Sequence, residues 1–207
     1  MSNKENKSKL FKCLGERLAK YGYNKKPKGH IFHRYNNNGW EGVHLSTINH
    51  KDDFQVAMSV LIRFDNVEDM INSCDDFISE KMKKKTVSLG VELGNLSVGE
   101  YKLWEIASGD QVEPVVNSMM SLYEQVGELY LKKYSSIVSA NEILSSDDSN
   151  AWMHSPVHFM RAMRSIAIEK ILGFENIEEE INRRRFELMR RKDPGLSRFD
   201  KFIMEMI

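Results

Sequence analysis

The clearest pattern in the chain is the alternation of apolar with polar or small residues through 54–63, which predicts a half-buried antiparallel strand. Two further strands are predicted upstream, over 31–36 and 40–48, around an Asn-Asn-Asn-Gly turn. A two-residue turn at Asn37 and Asn38 would place Arg34 opposite Glu41, whereas a turn one residue longer breaks this register. The short connections between these three strands favour a meander.

This register sorts the hairpin residues onto two faces, because successive side chains of a strand point to opposite sides. One face is expected to be apolar and to carry Phe32, Val43 and Leu45. The other face is expected to carry a mixture of aromatic, imidazole and aliphatic groups, namely Ile31, His33, Tyr35, Trp40 and His44.

The remaining periodicity is mostly helical. Helices are predicted over 5–21, 66–82, 110–133 and 136–144, and then near 156–172, 176–191 and 196–206. Asp110 and Glu113 have the spacing of a capping pair at the start of the long helix. Two more strands are predicted over 86–93 and 101–107, and residues 94–99 between them have the composition of a hairpin loop.

Together these elements predict an α+β protein with a five-stranded antiparallel sheet, packed helices and a helical C-terminal part. The polar run 145–150 is the expected boundary. It divides the chain into an α+β domain over 5–146 and a C-terminal helical bundle over 151–207.

Composition narrows the function classes only slightly. The 30 basic and 30 acidic residues cancel, so no global charge favours nucleic acid or an anionic membrane. Cys13 and Cys74 lie in apolar helical patterns, which are typical of buried thiols in a reducing compartment. The polar N-terminal residues and the lack of a long apolar run predict a cytoplasmic protein without a membrane span.

The N-terminal half resembles an uncharacterised bacterial family, a domain of unknown function. The similarity covers about residues 10–106 and rests on a helix ending in Gly-Phe/Tyr-x-Lys-Lys, a Phe-x-Arg strand, a short turn, an apolar strand and an alternating strand. The matching positions are Gly22, Tyr23, Lys25, Lys26, Phe32, Arg34, Val43, Leu45 and residues 54–62. The resemblance implies no activity, substrate or catalytic residue.

Five hairpin side chains form the expected binding surface, since Trp, Tyr and Arg dominate protein-binding hot spots. They are His33, Arg34, Tyr35, Trp40 and His44. No Cys, Asp or Glu accompanies the four histidines of residues 30–50 at a metal-site spacing. His154 and His158 are separated by Ser-Pro, which predicts a helix start between them. We therefore expect no metal, cofactor or catalytic site.

The sequence leaves three functional hypotheses. The first is a non-enzymatic cytoplasmic bacterial protein that binds another protein, a class that includes immunity factors neutralising a toxin. The second is a small enzyme with an acid–base site built from His33, His44, Arg34 and either Glu41 or Tyr35. The third is nucleic-acid binding through a C-terminal cluster of Arg183, Arg184, Arg185, Arg190, Arg191 and Lys192, although the neighbouring acidic residues favour a self-paired helix face.

Overall fold

The chain builds the predicted five-stranded antiparallel sheet. A computed structural model describes residues 2–146, 148 and 150–206. The strands are β1 (Ile31–Asn36), β2 (Gly39–Asn49), β3 (Phe54–Phe64), β4 (Leu89–Glu92) and β5 (Trp104–Ile106). They lie in the order β1-β2-β3-β4, and β5 also pairs with β3. The predicted meander of the first three strands is therefore confirmed.

Helices account for most of the remaining elements. Before the C-terminal part they are α1 (Asn3–Leu18), α2 (Asp65–Ser73), α3 (Glu80–Lys83), α4 (Leu93–Ser97), α5 (Val112–Leu122) and α6 (Glu128–Lys133). The C-terminal helices are α7 (Ile137–Leu144), α8 (Ala151–His154), α9 (His158–Leu172), α10 (Ile177–Arg191) and α11 (Leu196–Met206). A 3₁₀ turn, Ala19–Tyr21, extends α1, and a π turn, Tyr123–Gly127, joins α5 to α6.

The hairpin has the register predicted for a two-residue turn at Asn37 and Asn38. Asn36 pairs with Gly39, and Arg34 lies opposite Glu41. The backbone N–H of Asn38 donates to the Asn36 side chain at 2.9 Å, so the turn supplies its own hydrogen bond.

The predicted hairpin between the fourth and fifth strands is wrong. Both strands pair with β3, and α4 occupies the place of the expected hairpin loop. The Glu92 carboxylate accepts hydrogen bonds from the backbone N–H groups of Gly94 and Asn95, at 3.0 and 3.1 Å. This cap favours a helical turn where the sequence pattern indicated a loop.

The helix predicted over 66–82 is also wrong in its second half, because α2 ends at Ser73. The Asp75 side chain accepts a hydrogen bond from the backbone N–H of Phe77, a local turn that competes with helical pairing. Phe77 is 72% exposed and contacts Arg198 instead of extending the apolar stripe.

At the start of α5, the predicted Asp110–Glu113 capping pair is absent, because Gln111 is the cap residue and its side chain accepts hydrogen bonds from the backbone N–H groups of Ala107 and Ser108.

The chain forms two compact units. Unit 1 contains residues 1–62 and 91–133, and unit 2 contains residues 63–90 and 134–207. These cuts differ from the division predicted near residues 145–150, which stays a prediction.

In unit 1 the core lies on one side of the sheet. Helix α1 packs against α5 and buries Leu10, Leu14 and Leu18 completely. Because successive side chains of a strand point to opposite faces, the strands contribute one buried apolar face. Its residues are Phe32, Val43, Leu45, Phe54, Val56, Met58, Val60 and Ile62.

Unit 2 is organised around α9, which contacts α2, α7, α10 and α11 and is buried along most of its length. Arg164 of α9 donates to the carboxylate of Glu68 of α2 at 2.8 Å, and a second nitrogen donates to Ser155 at 3.1 Å. Burial opposes ionisation of Glu68, but the adjacent Arg164 guanidinium outweighs it and holds the pKa of Glu68 below its ordinary value. The pair is therefore charged in the folded protein.

Replacing Arg164 alone is expected to lower the free energy of unfolding far more than replacing both Arg164 and Glu68. Arg164→Met leaves the Glu68 charge buried and should lower the free energy of unfolding by about 3–5 kcal/mol, whereas Glu68→Leu with Arg164→Met should recover most of that loss. Arg185→Met breaks the exposed pair with Asp200 and serves as the control, with a cost below about 1 kcal/mol. Urea unfolding followed by circular dichroism measures all three. Equal losses in the single and double variants would contradict the prediction.

Candidate functional site

The strands of unit 1 present one buried side and one half-exposed side. Residues on the second side retain part of their solvent exposure along all three long strands, namely Ile31, His33, His44, Ser46, Gln55, Ser59 and Leu61. Alternation places these residues opposite the buried apolar set. Trp40, Gly42 and Ala57 on the same side are buried, so the side that carries His33 is open only in part, and we call it the half-exposed sheet face.

Three of the predicted side chains form one contact group on this face. The ring of His33 stacks on Tyr35, with 5.7 Å between centroids and planes 11° apart. The rings of His33 and Trp40 meet edge to face, with 4.8 Å between centroids and planes 70° apart. These are the offset and edge-on arrangements that aromatic groups prefer. We call His33, Tyr35 and Trp40 the aromatic cluster.

Trp40 is only 6% exposed because it lies across Gly42. A Cβ atom at Gly42 would come within 3.0 Å of the Trp40 ring and 2.8 Å of the Ile31 side chain. The missing side chain therefore leaves room for the indole beside His33. Trp40 forms the base of the cluster, and Tyr35, which is 59% exposed, is its accessible part.

The two predicted imidazoles are poorly solvated. Burial lowers the pKa of His33 below its ordinary value. Burial also lowers the pKa of His44, and the nearby His30 adds to this effect. Both rings are therefore mainly neutral at pH 7, and the half-exposed sheet face carries little charge at these positions.

The structure does not bring Arg34 to the aromatic cluster, because it lies on the opposite face of the hairpin. Its Nε donates to Glu41 at 2.7 Å, and its Nη2 lies 3.3 Å from Glu128. The guanidinium also donates to the Tyr21 carbonyl at 3.0 Å and lies over the Tyr23 ring. We call Arg34, Glu41, Glu128, Tyr23 and Tyr123 the Arg34 cluster.

The π turn supplies the last part of the Arg34 cluster. Its wider turn bonds the backbone N–H of Glu128 to the carbonyl of Tyr123, five residues earlier, and the Tyr123 hydroxyl donates to the Glu128 carboxylate. Burial raises the pKa of Tyr123 well above its ordinary value, so the phenol stays a neutral donor. Sequence reasoning missed Glu128 and Tyr123, because apolar periodicity does not distinguish a π turn from a regular helix.

The acid–base set of the enzyme hypothesis is not assembled in the part of the chain that the structure describes. No hydrogen bond there joins His33 or His44 to a carboxylate, and Arg34 and Glu41 lie on the other face of the hairpin. The described residues also contain no group of three or more His, Cys, Asp or Glu side chains that could hold a metal ion.

Of the six basic residues in the C-terminal cluster, Arg183 and Arg184 pair within α10 and Arg185 pairs with α11, whereas Arg190, Arg191 and Lys192 are exposed. Glu180 accepts from Arg183 and Arg184, with closest distances of 2.5 and 2.8 Å, and Arg185 pairs with Asp200 at 2.8 Å. Arg184 is buried, so its charge is not presented to a ligand. For residues 183–185 the geometry favours ion-paired helix faces over a nucleic-acid surface.

Comparison with protein-family models, with curated proteins and with solved structures finds no match for this chain. The resemblance of residues 10–106 to an uncharacterised bacterial family stays a prediction. Among the helices of the described residues, none has both the length and the apolar character needed to cross a bilayer.

Gly42→Val is expected to displace the Trp40 ring, because the new side chain occupies the space of the indole. The free energy of unfolding should fall by about 1–3 kcal/mol, the usual cost of overpacking. In protein labelled with 5-fluorotryptophan, the ¹⁹F resonance of Trp40 should shift while those of Trp104 and Trp152 stay in place. Ser59→Ala on the same sheet face is the control. An unmoved Trp40 resonance in the Gly42 variant would rule out this packing.

The lowered pKa values of His33 and His44 predict a pH-dependent stability. An unfolded imidazole has a pKa of about 6.5, so below that pH the unfolded chain binds more protons than the folded one. The contribution of these rings is therefore complete above about pH 6.5 and is lost as pH falls through the folded-state values. His33→Phe combined with His44→Phe should flatten the stability profile between pH 7 and 5, measured by urea unfolding. An unchanged slope in the double variant would contradict the assignment.

Proposed function

We propose that the chain is a non-enzymatic, cytoplasmic bacterial protein that binds another protein through the aromatic cluster. The observation that carries this proposal is the position of Tyr35, largely exposed and stacked on His33 above a buried Trp40. Tyr and Trp supply a large contact area with few rotatable bonds, which makes them frequent anchors of protein interfaces.

The packing of the cluster reduces the entropic cost of binding. Stacking on His33 limits the rotamers of Tyr35 before any partner arrives, and Trp40 also packs against His33. A preordered side chain loses less freedom on association, so more of its contact energy appears as affinity. The neutral imidazoles add hydrogen-bonding groups without a buried charge that a partner must compensate.

The expected partner is a folded protein, and a toxin neutralised by an immunity factor is one such case. Of the other hypotheses, the enzyme requires an imidazole–carboxylate contact that the described residues of the hairpin do not make. Nucleic-acid binding would use the whole basic cluster, but Arg183, Arg184 and Arg185 are paired with acidic groups, which leaves Arg190, Arg191 and Lys192 exposed at the end of α10. Of the three functional hypotheses, these observations favour protein binding.

Tyr35→Ala should abolish recovery of the partner in affinity purification from the organism that encodes the chain. Tyr101→Ala is a matched control, since Tyr101 is 57% exposed, lies outside the sheet and should leave recovery unchanged. Loss of a hot-spot aromatic residue typically weakens binding by 2 kcal/mol or more, about 30-fold. Quantitative mass spectrometry measures the ratio of partner to bait. Equal recovery with both variants, or no stoichiometric partner for the unchanged protein, would overturn the proposal.

A further inference from the structure

The net charge of zero conceals a strongly basic N-terminal segment. Residues 1–40 contain ten Lys or Arg and two Asp or Glu, so the rest of the chain carries an excess of eight acidic residues. Much of this basic charge lies on α1 and on the segment that connects it to β1. Sequence analysis based on the total charge missed this asymmetry, which a count along the chain reveals.

A groove of about 410 Å³ runs between α1 and the connecting segment. Helix α1 contributes Ser8, Phe11, Lys12 and Glu16, and the connection contributes Lys25, Lys26 and Pro27. Its surface is mostly apolar, with the Phe11 ring and Pro27 as the main apolar groups. Phe11 is supported by His30 and Phe32, whose ring centroids lie 5.1 and 6.1 Å away. The volume falls in the range of sites that accept small ligands or single side chains.

The position of Gly15 brings the two walls of the groove together. A Cβ atom there would lie 2.1 Å from the Lys25 carbonyl oxygen and 3.0 Å from the Phe32 ring. Only glycine allows the backbone of the connecting segment to approach the helix this closely. Lys25 and Lys26 are therefore held beside Lys12 by the main chain.

The three lysines of the groove have no acidic partner within the described residues. Lys12, Lys25 and Lys26 are exposed and form no ion pair there, whereas Lys7 and Lys9 are engaged with groups on neighbouring segments. Glu16 is the single acidic residue of the lining. The groove therefore combines an apolar floor with a basic rim.

We infer that this groove binds an acidic peptide segment of a partner protein, with an apolar side chain against Phe11 and Pro27 and carboxylates at Lys12, Lys25 and Lys26. The apolar floor fits a buried side chain, which a phosphodiester backbone does not provide. The concave shape fits a protruding residue, whereas a membrane presents a flat surface. This site is separate from the aromatic cluster, so the inference does not depend on the proposed function.

The binding test uses fluorescein-labelled synthetic peptides and fluorescence anisotropy. The first peptide has Leu-Phe flanked by glutamates, the second has Leu-Phe flanked by glutamines, and the third has Ser-Ser flanked by glutamates. The first should bind most tightly, and its affinity should fall as salt is added because the contacts are exposed ion pairs. Equal binding of all three peptides would overturn the inference. Tighter binding to phosphatidylserine vesicles or to duplex DNA at the same salt concentration would also overturn it.

A charge-matched pair of triple variants locates the site. Lys12→Gln, Lys25→Gln and Lys26→Gln together should weaken binding of the first peptide about tenfold, the combined effect of three exposed ion pairs. Lys4→Gln, Lys20→Gln and Lys51→Gln change the net charge equally at exposed positions outside the groove. Their effect should stay within about twofold. Equal weakening by the two triple variants would show a diffuse charge effect and overturn the inference.

Amide chemical shifts of the unchanged protein provide a measurement that requires no variant to fold. Addition of the first peptide should shift the resonances of Phe11, Lys12, Lys25 and Lys26, and leave those of Tyr35 and Trp40 in place. Gly15→Ala should weaken the same peptide without any change of charge, because it separates the walls of the groove. Shifts confined to residues outside the groove would contradict the site.

Discussion

The register of β1 against β2 is the constraint on which the surfaces of unit 1 depend. With Asn37 and Asn38 as the turn, His33 lies opposite Gly42, and Trp40 has room to lie beside His33. A slip of one residue would exchange the two faces of a strand. Phe32 would then leave the core, and His33 would enter it. The turn therefore determines both the hydrophobic core of the hairpin and the composition of its accessible face.

The same register makes Arg34 a structural residue rather than part of the aromatic cluster. It places Arg34 opposite Glu41 on the core side, where the π turn adds Glu128 and the Tyr123 hydroxyl. Buried ion pairs contribute little net stability, because desolvation offsets much of their attraction. We infer that the Arg34 cluster fixes the position of the hairpin relative to the helical segment 112–133, because directional hydrogen bonds join the two. Two neighbouring residues of β1 therefore have different roles. His33 belongs to the candidate binding surface, whereas Arg34 is structural.

Hydrophobic alternation and turn residues were enough to predict the elements that are stabilised by interactions between residues close in sequence. The alternation through 54–63 and the turn residues at 36–39 were sufficient for β3, the hairpin and its register. The aromatic cluster followed from the same alternation, whereas the assignment of Arg34 to a surface rested on residue type alone. Prediction failed where one polar side chain redirects the backbone. Asp75 ends the helical pattern after α2, and Glu92 converts an expected hairpin loop into α4. The groove was missed because its two walls are brought together by the close approach of Lys25 to Gly15, a contact that no periodicity encodes.

The two candidate surfaces of unit 1 rely on different physical forces. The aromatic cluster offers preordered apolar area with neutral imidazoles, so salt should affect its contacts little. The groove offers exposed lysines whose attraction for carboxylates is screened within about 10 Å at 0.1 M salt. A partner that used both surfaces would gain encounter rate from the lysines and residence time from the aromatic contacts. Beyond residue 40 the acidic residues exceed the basic ones by eight in total, so the rest of the chain, taken as a whole, would repel the same acidic partner. The charge distribution therefore directs an acidic partner to unit 1's basic segment despite a total charge of zero.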